Sequence, residues 1–122
     1  MNKKEFVEGL ERMGMDKAEF IILSGGSLLM RGLREQTNDY DISATKKLAK
    51  DIDMYSSPLN SAGSYEPFEN VEMKDDYEKH HFNIVDGYKC ESLEDILEFK
   101  RRMRRPKDLK DIEAIEKYLN FK

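Results

Sequence analysis

The sequence predicts an α/β fold of the α+β kind, a small mixed sheet with helices packed on it, and three observations carry that prediction. Phe6, Val7, Leu10 and Met13 recur at helical spacing. Phe20-Ile21-Ile22-Leu23 is a short branched apolar run that stops at Ser24-Gly25-Gly26-Ser27, the form of a buried strand entering a tight turn. Asp39-Tyr40-Asp41-Ile42-Ser43 alternates polar and apolar, as a half-buried strand does.

The elements follow in chain order. The first helix stops at Gly14, where a left-handed residue is needed. After the Phe20–Leu23 strand, Ser27 caps a second helix over Leu28–Arg34, and Gln36-Thr37-Asn38 breaks it before the alternating strand. Thr45 caps a third helix that buries Leu48, Ala49 and Ile52. Ser56 to Gly63 reads as loop, Val71-Glu72-Met73 as a short strand, and Phe82 to Cys90 as a hairpin turning at Asp86-Gly87. From Ser92 the helical period resumes through Leu93, Ile96 and Leu97, is interrupted at Pro106, and ends in a helix lined by Ile112, Ile115, Leu119 and Phe121.

Composition narrows the classes. The 122 residues fit a single domain spanning 1–122, and 39% hydrophobic residues suffice for a core. No apolar run approaches the ~18 residues of a bilayer helix, and no signal-peptide core precedes the first helix, so a cytoplasmic protein without membrane contact is expected. The single cysteine, Cys90, cannot close an internal disulfide or bind zinc alone, and reads as a buried small residue. A net charge of −4 argues against a general nucleic-acid coat.

The chemistry concentrates between Gly25 and Asp41. A strand that ends in Gly-Gly-Ser and turns into a helix presents unpaired amides suited to phosphate oxygens. Asp39 and Asp41, one residue apart on a strand, aim both carboxylates to one side, where they can share a hard divalent cation. A phosphate cradle beside a carboxylate pair is equipment for metal-assisted phosphoryl or nucleotidyl transfer. Paired glycines also serve as plain strand-to-helix turns, and Asp-x-Asp is commonplace on strand edges; the combination carries the reading. His80 and His81, adjacent on a strand, point apart and make a poor chelating pair.

These residues resemble the nucleotidyltransferase superfamily with a DNA polymerase beta-like core. Its mark is an apolar residue before Gly-Gly or Gly-Ser, a gap, and an Asp-apolar-Asp-apolar strand; the corresponding positions are Leu23, Gly25-Gly26-Ser27 and Asp39-Tyr40-Asp41-Ile42. Leu93 to Ile112, with Lys100 and Arg105-Pro-Lys-Asp-Leu-Lys-Asp, is similar to the closing helices of small bacterial members, among them AbiEii-type toxins and lincosamide nucleotidyltransferases. The resemblance implies that Asp39 and Asp41 hold Mg²⁺, that Gly25, Gly26 and Ser27 position the β- and γ-phosphates of a nucleoside triphosphate, and that an acceptor hydroxyl displaces pyrophosphate. It also implies a third acid that binds the metal or activates the hydroxyl; Glu72, in its apolar-acid-apolar strand, is the choice, with Asp75, Asp76 and Asp86 as competitors.

The basic run Lys100–Arg105, with Lys107 and Lys110, offers a cation to the triphosphate, Lys100 and Lys107 foremost, or a contact to an RNA acceptor. A solvated helix face is its plain alternative, as exposed helical arginine is for Arg31 and Arg34; Asp108 and Asp111 read as local partners of these cations. A chain this short leaves little for an acceptor pocket, so a homodimer or partner protein is expected to complete the site. Two other classes stand beside the enzyme: a non-catalytic or antitoxin-like protein of the same fold that binds a partner, as minimal nucleotidyltransferases paired with HEPN toxins do, and an RNA-interaction domain working through residues 100–110.

Overall fold

The computed structural model describes residues 1–120; Phe121, expected to extend the last helix's apolar face, lies outside them. Among the described residues five α-helices, α1 (Lys3–Met13), α2 (Ser24–Met30), α3 (Lys46–Asp51), α4 (Leu93–Met103) and α5 (Leu109–Asn120), accompany five strands, β1 (Phe20–Ile22), β2 (Tyr40–Ala44), β3 (Val71–Lys74), β4 (Phe82–Val85) and β5 (Tyr88–Glu91). The strands form one mixed sheet in the order β3-β2-β1-β5-β4. β1 runs antiparallel to β2 and parallel to β5, β2 runs parallel to β3, and β4–β5 is the expected hairpin. Among the described residues no helix is long and apolar enough to cross a membrane.

Local chemistry fixes the ends of these elements. Asn2 and Glu5 exchange side chain-to-amide hydrogen bonds at the start of α1, each 2.9 Å, and Gly14 ends it in the left-handed region. Thr45 caps α3 by accepting the Leu48 N–H, and Ser92 caps α4 through Asp95. Strand alternation then sorts the sheet's two faces. Tyr40, Ile42 and Ala44 of β2, Val71 and Met73 of β3, and Tyr88 and Cys90 of β5 point into one core with Phe6, Leu10, Leu48 and Ala49 from α1 and α3. The Tyr40 ring stacks on Phe6 at 4.4 Å between centroids, and its hydroxyl donates to the Phe6 carbonyl. The opposite face receives Asp41, Ser43, Glu72, Lys74 and Glu91, and α4 with α5 closes part of it through a second cluster of Leu28, Leu93, Ile96, Leu97 and Ile115.

Two expectations are corrected. The second helix spans Ser24–Met30 rather than Leu28–Arg34, and Ser27 is not its cap. Leu23 takes the cap position without a side-chain bond, and Ser27 is buried, its Oγ donating to the Glu91 carbonyl and accepting from Arg31. The reason lies in packing: at Gly26 a Cβ would sit 2.7 Å from Phe6 Cζ and 2.8 Å from Ile22 Cγ2, so the glycine lets the helix start pressed against α1 and β1. The alternating strand also starts one residue late, at Tyr40, which leaves Asp39 at its entrance.

The basic run folds inward. Lys100, only 4% exposed, sets its ammonium 3.1 Å from Asp108 and 3.2 Å from Asp111. Arg105 forks onto Asp108 through Nε at 2.6 Å and Nη2 at 3.2 Å, and Arg34 pairs with Asp111. Arg105 first, then Lys100, overcome burial and hold the Asp108 carboxyl down at about 2. The network ties α4 and α5 to the segment after α2.

Two stability changes follow from these contacts. Gly26→Ala is expected to cost about 1–2 kcal/mol in urea unfolding, because overpacking outweighs the gain of ~1 kcal/mol in helix propensity. Lys100→Met is expected to cost about 3 kcal/mol, the low end for breaking a buried ion pair, since each acid keeps an arginine partner.

Candidate functional site

The open face of β2 and β3 carries the site. Pairing of Asp41 with Glu72 across the parallel β2–β3 ladder sets both carboxylates on the same side of adjacent strands. Both line a cavity of about 340 Å³, together with Leu23 and Ser24 from the β1–α2 junction, Lys74, Asp76, His80 and Glu91, and the apolar side chains Ile96 and Phe99 of α4. Asp39 is exposed and opens onto an adjoining hollow that shares Glu72.

These acids act on one another. Burial, then the charges of Asp39, Glu72 and Glu91, push the Asp41 carboxyl up to about 6, against the pull of Lys74. Asn60 donates its side-chain amide to Glu72 from the loop that precedes β3. Among the described residues no three His, Cys, Asp or Glu side chains already stand at metal-binding geometry. The carboxylates sense each other's charge without being drawn to a common point.

The strand-to-helix junction is built differently from a bare glycine turn. Ser24 holds a left-handed backbone at φ 49°, an uncommon conformation for a non-glycine residue that costs on the order of 1 kcal/mol. Its N–H donates to Glu91 Oε1 at 2.8 Å, so a carboxylate of the protein occupies this amide. Gly25 leaves room for the Arg34 guanidinium, whose Nη1 would stand 2.3 Å from a Cβ there. Arg31 reaches the Glu91 carbonyl at 3.1 Å and Asn83 at 3.2 Å. Arg31 is therefore tied into the junction, while Arg34, a third exposed, packs against Gly25 and pairs with Asp111.

His80 stands between two acids, with Nε2 3.3 Å from Asp76 Oδ2 and Nδ1 3.7 Å from Glu91 Oε2. Glu91, and then Asp76, hold the imidazole above its ordinary value against the opposing effect of burial. Burial also opposes ionisation of Asp76, but Ser43 Oγ and His80 bring its carboxyl below the usual range. His81 turns away to pair with Asp95 at 2.9 Å, so the two histidines diverge as expected.

The structure thus brings together Asp41 and Glu72 in one cavity, with Asp39 in the adjoining hollow; of the α2 turn only Ser24 lines the cavity, while Gly26 and Ser27 are buried. It does not bring Lys100 or Lys107 there. Lys100 is enclosed in its ion network, and Lys107 is exposed beside Arg34 and Lys110 in a separate hollow. Of the competitors for the third acid, Asp76 enters the cavity; Asp75 pairs with Tyr55 Oη and Lys46, and exposed Asp86 pairs with Lys3. Sequence reasoning missed Glu91, His80 and Lys74. Glu91 had a usable signal: if Tyr88 and Cys90 face the core, Lys89 and Glu91 face the other way. Cys90 is buried, and its thiol is pushed up to about 11 by burial, so it is inert here.

The raised Asp41 carboxyl makes a signed prediction. A carboxylate whose folded pKa exceeds its unfolded value costs stability when ionised; the cost appears as pH rises from about 4 and is complete above about 6. Asp41→Asn is expected to stabilise the cation-free protein by about 1–2 kcal/mol at pH 7.5 and by little at pH 4, as read from urea melts at both values.

Comparison with known protein families, with curated proteins and with solved structures finds no match for the chain.

Proposed function

We propose that the chain is a Mg²⁺-dependent nucleotidyltransferase with a nucleotidyltransferase-like core, which moves a nucleoside monophosphate from a nucleoside triphosphate to a hydroxyl acceptor and releases pyrophosphate. One observation carries the reading: Asp41 and Glu72 lie in register on adjacent strands beside the β1–α2 junction, and burial, then charge crowding with Asp39, Glu72 and Glu91, holds Asp41 at about 6. Such a group of oxygens favours a divalent cation, which would relieve the repulsion. The order of a Gly-Gly-Ser junction followed by an Asp-x-Asp strand, implied by the resemblance, gives further support.

The donor set suits Mg²⁺, being hard carboxylate oxygen. Asp39, Asp41 and Glu72 would hold it, and bound Mg²⁺ would neutralise phosphate charge and align the triphosphate. Glu72, on the strand beside Asp41, would serve as a ligand or accept the acceptor's hydroxyl proton as the new P–O bond forms. Of the Gly25-Gly26-Ser27 turn, the partly exposed Gly25 would adjoin the β- and γ-phosphates, since Gly26 and Ser27 are buried. Lys74 is the pocket cation that takes up the part first assigned to Lys100 and Lys107. The acceptor, whether small molecule, RNA or protein, completion of its pocket by a second copy or partner chain, and a cytoplasmic setting belong to the same proposal.

One observation favours the non-catalytic, partner-binding alternative. The Ser24 amide is already satisfied by Glu91, and a phosphate at that amide would have to displace a carboxylate.

The test is binding of each common nucleoside triphosphate with and without Mg²⁺, followed by transfer of an α-labelled nucleotide to RNA, protein and small-molecule hydroxyl pools. The expected result is Mg²⁺-dependent binding, lost in Asp39→Asn/Asp41→Asn, with transfer reduced about 100-fold or more in that variant. Mg²⁺-dependent binding without transfer, or no binding at all, removes the transferase reading and leaves the partner-binding alternative, in which the Ser24 amide stays with Glu91.

A further inference from the structure

The cavity that holds Asp41 and Glu72 contains four carboxylates, those two with Asp76 and Glu91, against Lys74 and His80. His80 is the group that spans it. Its ring stands between Asp76, which follows β3, and Glu91, which ends β5. Each of these acids is also fixed from elsewhere: Asp76 accepts from Ser43 on β2, and Glu91 accepts from Ser24 at the β1–α2 junction. α4 contributes only the apolar Ile96 and Phe99 to this space.

A neutral imidazole has one N–H and one lone pair, so it can donate to one carboxylate while facing the other unfavourably. Only the imidazolium satisfies both. With its charge, four acids stand against two bases, leaving the cavity net negative by two. A divalent cation near Asp41 and Glu72 enters the same confined space and meets like charge.

We propose that His80 is the cavity's internal counter-ion, a positioning residue that keeps Asp76 and Glu91 on its walls and opposes entry of a divalent cation at Asp41 and Glu72. The proposal rests on the cation-site reading above and adds the element that regulates that site. When the His80 charge is removed, the cavity gains negative potential, and Asp76 and Glu91 lose their common partner. Divalent-cation affinity therefore rises.

The test is Mn²⁺ binding at pH 6.5, above the value of about 6 at Asp41 and where the imidazole, held above its ordinary value, keeps most of its charge, measured by loss of the free-ion paramagnetic resonance signal. It compares wild type, Asp41→Asn, His80→Gln, His80→Asn and His80→Lys, with thermal melts as a check on folding. Wild type is expected to bind Mn²⁺ and Asp41→Asn to weaken it. The two neutral variants are expected to bind about fivefold or more tightly than wild type, and His80→Lys, which restores a cation, to return close to wild type. Damage to the fold would weaken the site, so tighter binding separates a counter-ion from a structural brace. Unchanged or weaker binding in the neutral variants, tighter binding in His80→Lys as well, or unfolding of both neutral variants overturns the proposal while leaving the cation site standing. Absence of Mn²⁺ binding in wild type, or binding indifferent to Asp41→Asn, overturns the cation site and this proposal with it.

Discussion

The register of β2 between β1 and β3 is the constraint on which the site depends. Tyr40, Ile42 and Ala44 are buried because α1 and α3 cover that face, so Asp41 and Ser43 have no alternative but the other face. Parallel pairing with β3 then sets Glu72 beside Asp41 and Met73 beside Ile42 in the same operation. A slip of one residue would put Asp41 into an apolar core and Ile42 into the cavity, so the alternation that forms the core also aims the acids. Tyr40 fastens the register by stacking on Phe6 and donating to its carbonyl.

Legibility in the sequence followed the range of the interaction. α1, α3, the hairpin and the closing helices are local patterns of period, cap and turn, and Thr45, Gly14 and Asp86-Gly87 all act as those patterns imply. The β1–α2 junction was read one turn late because Ser27 looks like a cap in isolation. Its burial against the Glu91 carbonyl, 64 positions along the chain, is a tertiary fact. Gly26 stands out in the sequence as half of a paired-glycine turn, but the groups that require it are Phe6 and Ile22. Asp41 and Glu72 are legible from strand alternation, and so is the face that Glu91 takes; its meeting with His80 is not, because it depends on the order of strands in the sheet.

Seven basic residues between Lys100 and Lys110 suggested a surface for phosphates, and spacing alone could not show that Asp108 and Asp111 would be buried with some of them. The α4–α5 hairpin uses Lys100 and Arg105 as internal partners, and Arg34 joins them from the far side of α2. That enclosure leaves Lys74 and His80, neither in a basic run, as the cavity's cations. Charge density along a sequence and charge density in space are different quantities wherever acids return at helical spacing.

The two clusters of ionisable groups show what sets a site apart from a scaffold. At the hairpin, Lys100 meets two acids, each with one arginine of its own, and Asp108 falls to about 2: the fold favours the charged state it contains. At the open face the fold does the reverse, since burial and then like charges raise Asp41 to about 6, and Ser24 keeps a left-handed backbone beside it. Both arrangements lie within a chain whose total stability is of the order of 10 kcal/mol, so a carboxylate held against its preferred charge is a sizeable fraction of the whole. Burial is the largest part of what Asp41 resists, and the charges of Asp39, Glu72 and Glu91 add to it. Electrostatic strain of this sign is relieved by positive charge. His80 and Lys74 supply part of it, and the remaining imbalance is what a cation arriving from solution would neutralise.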